Sequence, residues 1–353
     1  MVPEEWPIAV PAADLRVVPS RPAGRDRLTT VRQDFFLDPG QRLSEQERAL
    51  MTAMLHSLIG DVADELRAAL PATSLVANDD DNAALLAELS ASGLLDLPEL
   101  IDLLLRRADH EQVASAVRAR SGRRDSRFIQ LLVSDEDAAI SAAAMALILA
   151  RGRRRDRFGQ MRIEFDDLSA ELAVTIVHRV GAAMRRRLLA TLDAPSADRQ
   201  LAAAGAALLA RHDEGRRLEA LTGALVRLLD QTGRLDDDLI GAAAEEGEFA
   251  LVAEVLARRA AITTNDAADL LLGGSGEQMM LLLRMAGVSL DFAARLLAGP
   301  GDLLGMADPA REIARFDALD AVAVDAARDW LQLDPAYRAA LAMLGADHGQ
   351  LAR

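Results

Sequence analysis

The sequence predicts an all-α chain: a HEAT-like array of helical pairs (an α-solenoid), preceded by a long helical element and a disordered N-terminal tail. Three observations predict it. Hydrophobic residues make up 51% of the 353, and most are Ala and Leu, which lose little side-chain freedom in a helix. Apolar residues recur at three- and four-residue steps over much of the chain. Nowhere do alternating β-branched residues run between turn signals, so strands are not supported.

Residues 1–30 read as the tail, because Pro3, Pro7, Pro11, Pro19 and Pro22 break any helical period. Residues 31–71 form the long helical element. Ser44 and Glu47 have the spacing of a capping box, and Met51, Met54, Leu55, Leu58, Val62 and Leu66 follow at helical steps until Pro71. This is one amphipathic helix, or two that meet at Gly60. Its wide apolar stripe needs a partner, either a second copy of the chain or the first helical pair of its own chain. Met51, Met54, Leu55, Leu58 and Val62 are therefore the candidate homodimer interface. On the dimer reading, Leu58→Asp separates the copies and leaves helicity intact.

Residues 72–230 follow as the HEAT-like array. Leu97, Leu100, Ile101, Leu104, Leu105 and Ala108 keep the 3.6 period with Asp96 placed to cap. Ile140, Ala143, Ala144, Leu147 and Ile148 repeat the theme after Ser134. Leu75 to Asp80 and Leu132 to Asp137 share an apolar pair, a small residue and an acidic turn before an Ala-rich helix, as stacked helical pairs do. Residues 231–353 form an acidic helical unit, with starts at Asp308-Pro309 and Asp334-Pro335 where Asp caps and Pro takes the first helical position.

Two absences remove much of enzymology. The chain has no Cys, which excludes disulfides, thiol nucleophiles and thiolate metal sites. All 40 basic residues are Arg, so no Walker-A, kinase or Schiff-base lysine exists. No cofactor is implied. Glu4, Glu5 and several prolines stand where a signal peptide would carry a basic start and an apolar run. The longest apolar stretch, Ala138 to Ala150, is too short to span a bilayer. The expectation is a cytoplasmic protein with no membrane contact.

Charge is distributed unevenly. Residues 1–100 carry 8 Arg against 17 acids, residues 101–229 carry 22 against 17, and residues 230–353 carry 10 against 21. The middle is thus an Arg-rich island in a chain of net charge −15. It peaks at Arg151, Arg153, Arg154, Arg155 and Arg157, with Arg185, Arg186 and Arg187 beyond. Arg forks take carboxylate or phosphate in pairs, so these eight are the partner-binding candidates. An acidic protein partner fits best. Nucleic acid is the alternative, disfavoured by the overall charge and by the scarcity of aromatics among the arginines. On this reading Arg153, Arg154 and Arg155 changed together to Ser leave thermal stability nearly untouched.

Other candidates reduce to ordinary roles. His56 lacks the acidic neighbour of a phosphoacceptor. His212-Asp213-Glu214 are adjacent and point apart on a helix, so no metal is expected. Asp79-Asp80-Asp81 lacks the alternation of a calcium loop. Gly273-Gly274-Ser275-Gly276 and Gly299-Pro300-Gly301 miss the nucleophile-elbow and dinucleotide patterns and read as turns.

The run Gly233-Arg234-Leu235, Leu239-Ile240 and Gly247-Glu248-Phe249, closed by Arg284-Met285-Ala286-Gly287-Val288, resembles the helical, mainly alphaproteobacterial family known as domain of unknown function 2336. Leu94-Leu95-Asp96 to Ile101 with His110 and Val113-Ala114 is similar to it, as is the Ser44-to-Leu70 helix with Arg67. The likeness covers roughly residues 40–297. It implies a helical, HEAT-like protein and carries over no catalytic residue. The Arg151-to-Arg157 segment is more basic than the family pattern. The functional expectation is a non-catalytic protein-interaction scaffold or regulator.

Overall fold

Helix follows helix along the chain, and two hydrophobic cores organise them. The computed structural model describes residues 43–71, 81–122, 127–273, 275–298 and 308–344. The tail, Leu75 to Asp80 and the Gly299 turn lie outside these residues. A compact unit runs from Glu47 to Arg353. Among the described residues there is no strand, and the one β-type pairing is an isolated antiparallel bridge between Arg155 and Met161.

The first core is built from α1 (Glu45–Ala69), α2 (Asp81–Ala91), the first half of α3 (Pro98–Ser121), α6 (Ala170–Leu188) and α7 (Ala194–Leu209). The first of these is a single helix through Gly60. Its Met54, Leu58 and Val62 are at most 1% exposed and pack in this core with Leu85, Leu104 and Ile176. Each such burial stabilises by about 1.5–3 kcal/mol. The fold therefore covers this part of the α1 stripe from within the chain, without a second copy. Met51 and Leu55, at its edge, are half-buried.

The second core takes the end of α3 and everything from α4 (Phe128–Val133) and α5 (Ala138–Arg153) through α8 (Leu218–Gln231), α9 (Asp237–Glu245), α10 (Phe249–Ala260), α11 (Thr264–Ala268), α12 (Gly276–Met285) and α13 (Leu290–Ala298). The helices α14 (Pro309–Ala318) and α15 (Ala321–Leu331) close it, and α16 (Pro335–Met343) follows. Helices on both sides of residue 230 share this core, with Phe249 and Phe316 among its largest buried side chains. Sequence-adjacent pairs such as α4 with α5, α6 with α7 and α10 with α11 pack on each other.

Capping follows the sequence with one shift. Asp308 accepts from the Arg311 amide and Asp334 from the Ala336 amide, with a proline at the first helical position in both helices. Asp137 caps α5 by accepting from Ala139 and Ile140. For α3, however, the cap position is Leu97 and not Asp96, because Pro98 opens the helix and holds Leu97 extended.

α3 passes from one core to the other. Leu100, Leu104 and Ala108 face the first, and Val117 faces the second. Between them the helix presents charge.

Candidate functional site

Where the two cores part along α3, a cavity of about 170 Å³ opens. The helix contributes Arg106, Arg107, His110, Glu111 and Arg118, a set spaced to share one face. The end of α5 and the residues after it add Arg151, Arg154 and Arg155. The starts of α8 and α10 close the far side with Glu219 and with Gly247, Glu248 and Phe249.

The Arg-rich island is thus split in two by the fold. Arg154 is not available to a partner: it is 2% exposed and forks onto the buried Asp167, with Nε and Nη2 each 2.8 Å from a carboxylate oxygen. Its remaining donors reach the Ala150 and Arg216 carbonyls at 2.9 Å. Arg107, also buried, joins Asp167 at 3.2 Å and Glu219 at 2.9 Å. Burial pushes the Asp167 carboxyl up, but Arg107 and Arg154 outweigh it and hold its pKa below the ordinary 3.8. The expectation that Arg153, Arg154 and Arg155 can all become Ser at no cost does not fit the fold, since that change removes the two-point Arg154 fork and leaves buried Asp167 with Arg107 alone.

Arg151 and Arg155 line the cavity and are tethered by acids across it. Arg151 meets Glu248 at 2.6 Å, while Glu111 holds both Arg155 and Arg118 at 2.7 Å. Arg153, by contrast, is exposed and has no ion-pair partner among the described residues. Arg157 lies over the ring of Phe158 at 4.7 Å. The more distant triplet is tied to other helices: Arg185 to Asp198, and Arg186 and Arg187 within 3.7 Å of Glu88. The fold does not bring that triplet to the cavity.

His110 is the cavity's second titratable wall. The residue is half-buried, yet its Nε2 is shut off from solvent and has no hydrogen-bond partner among the described residues. Desolvation first, then the positive charges of Arg107, Arg106 and Arg151, push its pKa down to about 3. It is neutral at physiological pH. Sequence reading missed Arg106, Arg107, His110 and Arg118 as a group; the signal was their helical spacing on α3.

On the other side of Arg106 and His110 lies a second cavity, lined by Asp102, Asp109 and Asp269. Burial, reinforced by Glu47 and Asp269, raises Asp109 to about 6. Asp269 opens a π turn, Asp269–Gly273, that continues α11. Among the described residues no cluster of three His, Asp or Glu is placed to hold a metal ion, and no helix is long and apolar enough to cross a membrane. His212 donates from Nε2 to the Leu168 carbonyl, 3.1 Å away, with its ring edge-on to Phe165. His56 is exposed.

A family model described as "Uncharacterised protein conserved in bacteria (DUF2336)" matches residues 86–329, well over half of the 353. The chain belongs to that family. No curated protein and no solved structure matches it. The match starts beyond α1, so the Ser44-to-Leu70 helix lies outside it, and it reaches past residue 297.

The family-like motifs have physical roles. Gly233 and Gly287 end helices α8 and α12 with φ of 69° and 64°, a left-handed conformation that glycine adopts without strain. Arg234 then reaches Asp135 at 2.6 Å, and Arg259 donates to the Ala286 and Gly287 carbonyls. Gly247-Glu248-Phe249 belongs to the cavity. Phe249 anchors in the second core, Glu248 turns to Arg151, and Gly247, at φ 78°, touches α3. A Cβ at Gly247 would stand 3.1 Å from the Ala114 Cα. Gly247→Ala is expected to cost about 2–4 kcal/mol, from the left-handed backbone and the clash together. Gly287→Ala, which has open space, should cost only about 1–2 kcal/mol. Urea denaturation of the two variants checks the difference, and equal losses would mean that the close approach to α3 carries no weight.

Proposed function

We propose that the chain is a non-catalytic, cytoplasmic interaction protein that docks an acidic partner protein on the loop after α5. The observation that carries this is Phe158, 74% exposed, with the Arg157 guanidinium stacked on its ring and exposed Arg153 nearby in sequence. Arginine and aromatic side chains dominate binding hot spots.

The loop is ordered in advance, which lowers the entropy lost on binding. Asp156 accepts from the Phe158 and Gln160 amides at 2.7 and 2.8 Å, Arg155 donates to the Gly159 carbonyl, and Arg162 N donates to the Arg154 carbonyl. The stacked helical pairs then serve as a HEAT-like scaffold that presents it. Nucleic acid is the weaker reading, because the chain is net negative.

Affinity capture from the native host, with wild-type and Arg153→Ser/Arg157→Ser/Phe158→Ser baits, tests the proposal. The variant should keep its stability to within about 0.5 kcal/mol, as exposed substitutions do. It should lose an acidic protein that wild type retains at low salt and releases at high salt. Equal capture by both baits, or a salt-dependent shift of a DNA probe by wild type alone, would overturn it.

A further inference from the structure

We propose that the cavity between α3 and the starts of α8 and α10 binds a small organic anion, one phosphate or carboxylate head on a compact apolar body. This site is separate from the exposed Arg157–Phe158 loop, and either can hold without the other.

The sign of the ligand follows from the wall. Six arginines line it against four glutamates. A helix of 12 residues, α10, begins at it without a side-chain cap, while the first amide of α8 already donates to Asp167 at 3.4 Å. Uncapped helix starts present free amides and the positive end of the helix dipole, which favour an anion.

Two buried nitrogens independently point to a ligand. Arg107, only 6% exposed, has its Nε without a partner, and so does the shielded Nε2 of His110. A buried donor left unsatisfied costs free energy that a ligand oxygen would restore. Arg151 meets Glu248 through Nη1 at 2.6 Å, and a planar guanidinium has five N–H donors to share between oxygens. Arg107 and Arg154 are pinned to Asp167 and set the floor. Arg151, Arg155 and neutral His110 are the groups that meet the head. A neutral imidazole there can donate without adding to the crowding of positive charge.

Size and polarity define the rest. One water needs about 10–15 Å³ on the same volume measure, so the cavity admits on the order of a dozen non-hydrogen atoms. Leu218 and Ala250, both half-buried, supply an apolar surface beside the arginines. A polymer does not fit, whereas a single ring bearing one anionic group does.

The test titrates the full chain calorimetrically with phenyl phosphate, benzoate and neutral benzyl alcohol. Phenyl phosphate or benzoate should bind at least about tenfold more tightly than benzyl alcohol, and the tighter of the two identifies the head. Arg155→Gln, at the partly exposed edge of the cavity, should weaken binding about tenfold, and exposed Arg153→Gln should leave it unchanged. NMR of the His110 ring gives a readout that does not depend on a variant: the bound anion should raise its pKa by offsetting Arg106, Arg107 and Arg151. Absence of binding by both anions, equal binding of benzyl alcohol, equal weakening by Arg153→Gln, or an unmoved His110 would each overturn the proposal.

Discussion

Asp167→Ala is expected to lower the free energy of unfolding by about 3–5 kcal/mol, the usual result of removing one partner from a buried charge network. Asp167 has no exposed surface and is the shared acceptor of Arg107 and Arg154, each under 10% exposed. It also accepts from the Glu164 amide at 3.1 Å and the Leu218 amide at 3.4 Å, so it ties α3, α5 and α8 together. Without it, Arg154 loses its carboxylate partner and Arg107 keeps only Glu219. Converting both Asp167 and Arg154 to apolar residues of similar volume should recover part of the loss, since a buried ion pair contributes less than its disruption costs.

The pH dependence of stability checks the same network. Asp167 has a folded pKa below its ordinary 3.8. Its contribution is therefore fully present above about pH 4 and lost as pH falls through the depressed value. His110 works in a higher window. Its folded pKa is lowered from 6.5 to about 3, so the unfolded chain takes up a proton first and stability declines as pH falls from 6.5 toward 3. Urea midpoints measured across pH 2–7 should show both declines in the wild type. Asp167→Ala should keep the His110 decline and lose the one below 4. An Asp167→Ala chain as stable as wild type at neutral pH would mean that the network contributes nothing.

Leu58→Asp is expected to collapse the first core rather than separate two copies. Leu58 is 0% exposed among Met54, Val62 and their neighbours from α2 and α6. The change removes about 1.5–3 kcal/mol of apolar burial and adds several more for an unpaired carboxylate. That sum is of the order of the whole stability of a folded chain, about 5–15 kcal/mol. Circular dichroism should show a clear loss of helical signal. Retained ellipticity with a halved mass by light scattering would place Leu58 in a dimer interface after all. Leu55→Asp is the gentler probe: half-buried at the stripe's edge, it should keep helicity, and a change in mass there would report contact with a second copy.

Local chemistry made the helices legible. Ala- and Leu-rich periodicity, the Asp137, Asp308 and Asp334 caps and the prolines behind two of them act within a few residues of the chain. The sequence therefore carries them in full. Gly233, Gly247 and Gly287 carried the likeness to the family now matched over residues 86–329, and the fold gives the reason for glycine at each, a left-handed backbone. The Arg-rich island was legible as composition.

What each arginine does was not. Arg153 and Arg154 are neighbours of identical chemistry, yet one is exposed and the other is 2% exposed on Asp167. Their roles depend on Asp167, thirteen residues on, and on Arg107 and Glu219 from other helices, and no local pattern encodes those meetings. The cavity has the same origin. It exists because α3 passes between two cores, and its charged residues are gathered from distant segments, such as Arg155 and Glu111, which lie 44 positions apart. The sequence by itself determined that the chain is helical, where several of its helices begin, and which family it belongs to, because those depend on short-range periodicity and backbone preference. Which apolar stripe is covered from within, which charges are buried and which face solvent was decided by tertiary packing, since burial and pairing are properties of residues brought together only when the helices assemble.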